Sequence, residues 1–351
     1  KETSFDESSY ARKVAHHIGS RHHERIFRGE EMQQLVPKLP AMLDEPLGDA
    51  SILPTALLSA FAREHVTVAL GGDGGDELFA GYPMHQAHRV AGVARMTPAP
   101  LRSLAAAAAR ALPVEHSNFA LPFKVLSFLK GAGVEAPLNH ALWMSSFAPA
   151  EQKTVLTDDA WERAGAGREA FRAVFESWQQ SEGAPPLARA THLDALTYLP
   201  NDILTKVDRA SMRVALEVRA PFLARAVVEF AFALPDSFRM RGHSGKRLLK
   251  DAARPLLPAE IVDRPKKGFG IPVAAWISGP LRDLVQDVLS PYALKRAGIF
   301  NPDAVDRMLH QHLQRRADLR KPIWTLLVFE LWRRHHLEQR QPGARMAGAR
   351  A

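Results

Sequence analysis

The order of apolar and polar positions predicts alternating helices and strands over roughly the first ninety residues. Residues 7–18 and 53–64 are rich in helix formers, and residues 25–27 are expected to form a short strand. Residues 66–70 (VTVAL) are β-branched and apolar without alternation, a pattern typical of a strand buried on both faces of a parallel sheet. A glycine-rich turn follows, and the chain from Glu77 onward is expected to be helical. An α/β arrangement is therefore predicted for this part of the chain.

Residues 96–100 (MTPAP) interrupt this pattern, and helices dominate the prediction beyond them. We expect an alanine-rich helix over 101–112 and a helix over 187–212, which is interrupted where Pro200 fits the first turn of a new helix. Residues 339–351 have no periodicity and are predicted to be disordered. The predicted division is an α/β part (1–95), a mostly helical part of the same domain (96–338) and the tail (339–351).

Composition excludes several classes of protein. The 351 residues are 46% hydrophobic and contain no run of about 18 apolar residues, so a membrane span is not expected. Cysteine is absent, which excludes a disulfide, a thiolate metal site and a cysteine nucleophile within this chain. No charged-then-apolar leader is visible, so we expect a cytoplasmic location. The net charge of +8 favours anionic partners such as nucleotides, or it reflects an arginine-rich composition. Basic residues interleaved with aromatics are missing, so nucleic acid is not an expected partner.

Residues 70–82 (LGGDGGDELFAGY) carry the densest chemical signal, because a predicted strand runs into four glycines and three acids and then into a helix. Glycines let backbone N–H groups approach phosphate closely, and ligands of open α/β sheets bind just beyond the carboxyl ends of the strands. The acids fit this picture if Mg²⁺ lies between carboxylate and phosphate. The simpler alternative is a flexible turn followed by an acidic helix start.

Two further segments concentrate charge. Residues 263–272 (DRPKKGFGIP) form a basic loop held by proline and glycine, suited to a phosphate or to solvent. Residues 199–223 place charges among apolar residues, which predicts either ligand binding or buried ion pairs such as Glu217 with Arg219. His85 and His88, three apart on a predicted helix, lack a third ligand, so a metal site there is not expected.

Together these three blocks resemble the glutamine-hydrolysing asparagine synthetase family, over about residues 5–332. Shorter segments agree in the same order: FDESSYA at 5–11, HHE at 22–24, DEP at 44–46 and SILP at 51–54. The resemblance implies a parallel-sheet, adenine-nucleotide α-hydrolase-like domain of the pyrophosphatase type with a large helical remainder. It also implies ATP and Mg²⁺ as cofactors. In that family a carboxylate is adenylated, pyrophosphate leaves, and ammonia derived from glutamine attacks the acyl-adenylate.

The resemblance also assigns roles to particular residues. Gly71 and Gly72 would line the nucleotide, and Asp76 would bind Mg²⁺. Asp73, where the family commonly has Glu, would help the amine to attack. The remaining assignments are Lys266 to the leaving pyrophosphate, and Asp202 and Lys206 to the surroundings of the acyl-adenylate.

Some family features are missing from this sequence. A glutaminase domain beginning with Cys and a Ser-Gly-Gly-x-Asp-Ser loop are both absent, which indicates a C-terminal portion of a longer enzyme that is inactive alone. Asp49 and Ala50 stand where aspartate-binding members tend to carry Arg, so the carboxylate acceptor stays open. Asp73, where β-lactam-forming members usually have Tyr, disfavours that type. The alternatives are an amidotransferase for another carboxylate, in surface-polymer or secondary metabolism, or an inactive homologue. Small-molecule substrates and a homodimer are the expected partners.

The two adjacent lysines of the basic loop give a first prediction. If Lys266 meets the leaving pyrophosphate, Lys266→Ala in the full-length protein should lose about 3 kcal/mol of transition-state stabilisation, as for one removed electrostatic donor. Lys267→Ala should stay within about threefold of wild type, because a positioned charge acts over a short range. The measurement is the rate of pyrophosphate release at saturating ATP and acceptor. Equal small losses at both positions would identify the loop as a solvated basic surface.

Overall fold

The protein is described by a computed structural model that covers residues 6–114, 121–167, 169–264, 268 and 270–338. Within these residues the chain is mostly helical. The α-helices, in chain order, are α1 (Ser8–His17), α2 (Gly29–Gln33), α3 (Ile52–Arg63), α4 (Gly75–Leu78), α5 (Pro83–Met96), α6 (Ala99–Ala111), α7 (Leu121–Ala132), α8 (Leu138–Met144), α9 (Pro149–Val155), α10 (Asp158–Arg163), α11 (Arg172–Gln179), α12 (Pro186–Leu196), α13 (Thr205–Met212), α14 (Arg225–Ala233), α15 (Asp236–Arg239), α16 (Arg247–Ala253), α17 (Ala259–Val262), α18 (Val273–Ser278), α19 (Arg282–Val288), α20 (Pro291–Ala297), α21 (Pro302–Leu313) and α22 (Arg320–Arg333). Short 3₁₀ segments lie at Val36–Met42, Glu169–Phe171 and Pro221–Leu223, and π-helical turns at Leu199–Leu204 and Arg334–Glu338.

Two parallel strands, β1 (Val68–Leu70) and β2 (Glu217–Arg219), form the sheet of the described residues. Their register pairs Val68 with Glu217 and Leu70 with Arg219. The prediction of an α/β chain with parallel strands is confirmed at this level. The prediction that β1 is buried on both faces is wrong, since Val68 is 40% and Leu70 is 74% exposed. Side chains alternate along a strand, and the described helices cover only the face that carries the half-buried Ala69.

Several sequence-predicted helices are confirmed within two residues at either end. Helices α1, α3 and α6 match the expected segments, and the helix expected over 187–212 is interrupted around Pro200 by a π-helical turn. The strand expected at residues 25–27 is wrong, because this segment has no regular secondary structure. Ile26 is 63% exposed, and Arg25 pairs with Glu31 and Glu64 at the surface. The disordered tail expected at 339–351 lies outside the described residues.

The largest hydrophobic core surrounds the last α-helix. Ile323, Trp324 and Leu327 of α22 are at most 2% exposed, and they belong to one cluster with the start of α3 and the helices α18–α21. The loop before α3 runs so close to α22 that a Cβ on Gly48 would lie 3.2 Å from the hydroxyl of Thr325. The core therefore places the beginning of α22 beside the segment that leads into α3.

A second, smaller cluster holds the chain beyond β1. Leu78 and Phe79 pack with Ala231 of α14, and the ring of Phe79 meets that of Phe222 edge-on at 6.2 Å. Gly74 has φ +89°, a conformation that disfavours side chains, and a Cβ there would overlap Leu223. The glycine-rich segment is therefore packed against the 3₁₀ turn that follows β2. None of the described helices has the length and apolar character needed to cross a membrane.

Candidate active site

The glycine-rich loop, residues 71–82, begins where the parallel strands end. The backbone N–H of Gly71 donates to the carbonyl of Arg219 at 2.7 Å, which extends the pairing of β1 and β2 by one bond. The loop then turns at Gly74 and enters the short helix α4, whose first turn carries Asp76 and Glu77. Gly72 is exposed and Gly71 is half-buried. The carboxyl end of the sheet is thus the edge at which the predicted nucleotide residues lie.

Asp76 forms an ion pair with Lys246 across this loop. The two charged groups are 2.9 Å apart, and both side chains are largely shielded from solvent. Lys246 precedes α16 with φ +56°, and its backbone N–H donates to the carbonyl of Phe79 at 2.9 Å. A Cβ on Gly81 would overlap both members of the ion pair, and a Cβ on Gly245 would overlap the carbonyl of Ala80. The missing glycine side chains therefore allow the two segments to meet.

A second group of charges lies where α13 packs against α3. Lys206 Nζ is 2.7 Å from Asp49 Oδ2, and the hydroxyl of Ser51 donates to the same oxygen at 2.8 Å. Burial by itself raises the pKa of Asp49, but the neighbouring Lys206 holds it below its ordinary value. Burial and the charge of Asp49 raise the pKa of Asp202 to about 7. Asp202 Oδ1 is buried and has no hydrogen-bond partner in the described part of the chain.

Asp73 connects the glycine-rich loop with these charges. Its carboxylate folds over Gly71, so that a Cβ on Gly71 would lie 2.8 Å from Asp73 Oδ2. Partial burial raises the pKa of Asp73, and the positive charge of Lys206 acts against this shift. Asp73 and Lys206, which are far apart in sequence, are therefore neighbours in electrostatic terms.

Lys321, at the start of α22, closes the opposite side of this group. Its side chain keeps an exposed part, and desolvation by the surrounding protein together with the charge of Lys130 lowers its pKa to about 8, whereas Asp202 and Asp49 act in the opposite direction. Its ammonium donates to the carbonyl of Met144, and it has no ion pair within 4 Å among the residues described. We use the name charged cleft for the group of Asp49, Asp73, Asp202, Lys206 and Lys321.

The structure places the other predicted residues as follows. Lys266 lies outside the described residues, while the preceding Arg264 pairs with Glu7 of the N-terminal segment at 2.7 Å. Glu217 and Arg219 do form an ion pair, at 2.7 Å, but its predicted burial is wrong because both side chains are more than half exposed. A two-stranded sheet leaves this face open to water. In the structure the polar side chains of residues 217 and 219 point out of the fold.

Sequence reasoning missed two functional candidates, Lys246 and Lys321, and noted Asp49 only as a departure from a family pattern. A lysine after glycine at a helix start, as at Lys246, is too common a pattern to single out. Lys321 follows an arginine in a basic stretch that resembles any solvated helix start. Only the packing of α22 against α3 shows that Lys321 faces two acids.

The profile of the asparagine synthase family matches residues 1–334. The chain belongs to this family. Among the curated relatives, a Mycobacterium tuberculosis protein named as a glutamine-hydrolysing asparagine synthetase is 30% identical over 331 residues, which are 93% of this chain and 48% of that protein. Asparagine synthetase [glutamine-hydrolyzing] 1 of Bacillus subtilis is 26% identical over 349 residues, covering 97% of this chain and 52% of the relative.

Other members carry different names. Amidase chry2 of Gibberella zeae is 21% identical over 327 residues, which are 86% of this chain and 47% of that protein. The chain thus spans about half the length of the curated relatives it matches. Family membership is established along nearly the whole chain, and the family uses ATP.

The residues around Asp76 are compatible with the Mg²⁺ that the family resemblance implies. Mg²⁺ is usually held by one or two carboxylates together with phosphate oxygens and water. Asp76 supplies one such carboxylate at the edge of the glycine-rich loop, where its ion pair with Lys246 occupies the space beside Gly81. The described residues contain no cluster of three acid or histidine side chains able to hold a metal by themselves. A metal here would therefore depend on the phosphates of a nucleotide.

The close approach of Gly245 to Ala80 predicts a difference between two glycine substitutions. Gly245→Ala should lower the free energy of unfolding by about 1–3 kcal/mol, because the added methyl overlaps a backbone carbonyl that cannot move independently. Gly92→Ala should raise it by about 0.5–1 kcal/mol, because Gly92 lies in α5 with nothing within 4 Å of a Cβ. Urea denaturation measures both. Equal effects would show that the 245–246 turn is not packed on the loop as described.

The raised pKa of Asp202 predicts a dependence of stability on pH. The folded protein keeps a proton on Asp202 up to about pH 7, whereas an unfolded aspartate loses it near pH 3.9. Asp202 therefore reduces stability as the pH rises from about 4 to about 7. Asp202→Asn has no carboxyl group that loses a proton in this range. Its free energy of unfolding should therefore increase relative to that of the wild type as the pH rises. Asp208→Asn, on the exposed side of α13, is the control. A constant difference between Asp202→Asn and wild type would contradict the assigned pKa.

Proposed function

We propose that this chain is the synthetase portion of an enzyme that amidates a carboxylate with ATP through an acyl-adenylate. The ammonia would come from glutamine, hydrolysed by a separate domain, and the fold would be that of a pyrophosphatase-type, adenine-nucleotide α-hydrolase-like domain. One observation carries the proposal beyond family membership. The glycine-rich loop contributes Asp73 to the charged cleft, in which Lys206 pairs with Asp49 and its charge also acts on Asp73.

The first chemical step needs a nucleotide whose α-phosphorus is exposed to a carboxylate. An oxygen of the acceptor forms a bond to the α-phosphorus, the bond to the bridging oxygen breaks, and pyrophosphate leaves. Backbone N–H groups of Gly71 and Gly72 would line the nucleotide. Lys246 and Lys266 would balance the charge of the leaving pyrophosphate. A Mg²⁺ held by Asp76 would neutralise phosphate charge.

The second step replaces AMP by nitrogen. Ammonia attacks the acyl carbon, the bond between that carbon and the AMP oxygen breaks, and the nitrogen loses one proton. Asp73 would take this proton, since its partial burial raises its pKa and makes it a better base. Lys206 would stabilise negative charge on the acyl group, and Asp202 would border the same intermediate.

The acceptor that the family name suggests is aspartate, and one observation favours another carboxylate as the alternative. Asp49, which stands where aspartate-binding members tend to carry Arg, has its carboxylate engaged by Lys206 and Ser51. This side of the charged cleft therefore offers a negatively charged group where a dicarboxylate acceptor would need a positively charged one. Mass spectrometry of the products with L-aspartate or other carboxylates distinguishes the two. Asparagine as the product would exclude the alternative.

Asp76 gives the prediction that tests the reaction. In the full-length protein Asp76→Asn should lower the rate of ATP- and acceptor-dependent pyrophosphate release by at least about a hundredfold, because a metal ligand contributes several kcal/mol of charge stabilisation. Asp306→Asn, an exposed acid on α21, should stay within about twofold of wild type. Unchanged pyrophosphate release by Asp76→Asn would remove Asp76 from the site. Absence of acceptor-dependent release in the wild type would refute the proposed function itself.

A further inference from the structure

Behind the glycine-rich loop, a buried network joins three histidines to one aspartate. His85 and Asp194 are 0% exposed, and His140 is 3% exposed. His85 Nε2 lies 2.6 Å from Asp194 Oδ2, and His140 Nε2 lies 2.9 Å from Asp194 Oδ1. His88 Nε2 lies 2.8 Å from His140 Nδ1. We call these four residues the His–Asp network, which links helices α5, α8 and α12.

The hydrogen bonds show which ring nitrogens of His85 and His140 carry the protons that point to Asp194. The backbone N–H of Tyr82 donates to His85 Nδ1 at 3.3 Å, so the proton of His85 is on Nε2 and points to Asp194. His140 likewise donates from Nε2 to Asp194, and its Nδ1 shares a hydrogen bond with His88 Nε2. Burial by itself raises the pKa of Asp194, but the two histidines hold it well below its ordinary value. Burial and His140 lower the pKa of His88 to about 3. The network therefore places His85 and His140 directly against one carboxylate, with a neutral His88 bonded to His140.

These histidines are fully engaged within the protein. In the described part of the chain no group of three acid or histidine side chains is arranged to hold a metal. Asp194 uses both oxygens as acceptors, and His85 uses both nitrogens. Ligand chemistry is thus excluded for His85 and Asp194, and the remaining question is what the network holds in place.

Tyr82 connects the network to the candidate active site. Its backbone is held by His85, its hydroxyl donates to Glu77 Oε1 at 2.5 Å, and its ring meets that of Tyr198 edge-on at 5.6 Å. Glu77 is 2% exposed and follows Asp76 directly in α4. Tyr198 precedes the turn that carries Asp202. Tyr82 therefore contacts both segments from which the proposed catalytic groups come.

We propose that His85 and Asp194 are positioning residues, which fix Tyr82 and, through it, hold Glu77 and Asp76 of the glycine-rich loop in the geometry that binds nucleotide. This inference rests on the proposed function. A loop with five glycines has little stiffness of its own, and precise sites need support from surrounding rigid residues. Asp194 supplies this support from the rigid helix α12 through a single imidazole. Neither residue touches substrate.

The competing explanation is that the network only holds α5, α8 and α12 together. Two substitutions separate the possibilities, because the amide of Gln reaches the position of Nε2 and that of Asn reaches the position of Nδ1. His85→Gln keeps the bond to Asp194 and loses the acceptor for Tyr82. His85→Asn keeps that acceptor and loses the bond to Asp194. His310→Asn, on the exposed surface of α21, is the matched control.

The decisive measurement is amide hydrogen exchange of the full-length protein, together with its stability in urea. We expect His85→Gln to stay near wild-type stability while exchange in residues 75–82 rises about tenfold, the factor that one lost hydrogen bond gives. His85→Asn should lower global stability as well. Exchange in residues 75–82 of His85→Gln within about twofold of wild type would overturn the proposal, as would an equal rise in α8 and α12.

Nucleotide binding, measured by calorimetry with Mg-ATP, supplies the functional arm. His85→Gln should weaken binding about tenfold, and His310→Asn should leave it unchanged. Should His85 variants fail to fold, Tyr82→Phe is the alternative, because it removes only the hydroxyl that donates to Glu77. Tyr292→Phe, at an exposed tyrosine, is its control. Tyr82→Phe should show the same rise in exchange over residues 75–82 and the same weaker binding of Mg-ATP as His85→Gln. A wild-type protein that does not bind Mg-ATP would refute the proposed function, whereas hydrogen exchange would still decide the positioning role. Binding lost in Asp76→Asn but normal in His85→Gln and Tyr82→Phe would overturn the positioning role alone.

Discussion

The ion pair between Lys206 and Asp49 is the constraint on which the arrangement of the candidate site depends. It joins α13 to the segment before α3, across 157 positions of sequence, and both side chains are mostly buried. Removing two charges from water is costly, so such a pair persists only where further hydrogen bonds complete it, as the Ser51 hydroxyl does here. Asp73 approaches Lys206 from the glycine-rich loop, and Asp202 approaches Asp49 from the preceding turn. Removing either partner would leave a buried charge uncompensated, and it would disturb the positions of both Asp73 and Asp202.

The other requirement is close contact between backbone segments. Gly74, Gly81 and Gly245 each occupy a place where a Cβ would overlap a neighbouring residue. These contacts let the turn before α16 deliver Lys246 to Asp76, and they let the loop pack on the 3₁₀ turn after β2. Charge and backbone shape thus act together, since the glycines create the space and the ion pairs determine which groups fill it. The His–Asp network on the far side would keep the flexible loop in this state.

Family membership and the geometry of the site together support ATP-dependent amidation. They differ over the acceptor, since the family name suggests aspartate and the geometry around Asp49 favours another carboxylate. The glycine-rich loop and its acids agree with a nucleotide site of the kind that the resemblance implies. On the acceptor side, the charges of Asp49 and Asp202 act on Lys321, and Asp202 Oδ1 has no hydrogen-bond partner among the described residues. A cleft with both signs of charge fits an acceptor with polar groups beside its reacting carboxylate. One relative is named as an amidase, so the relatives do not all carry the name asparagine synthetase.

The sequence by itself determined the helices that are periodic, the parallel character of β1 and the identity of the glycine-rich loop, because these depend on local composition and on contiguous motifs. The family resemblance added the prediction that Asp202 and Lys206 lie near the acyl-adenylate. It did not determine the exposure of Leu70, since burial depends on what covers a strand and not on the strand's own residues. Nor did it reveal that Asp49, Lys246 and Lys321 lie near the site, or that His85 bonds a buried aspartate to which His88 is linked only through His140. Those neighbours come from segments far apart in the chain, and only the tertiary structure brings α22 beside the segment before α3 and α5 against α12, so that their charges act on one another.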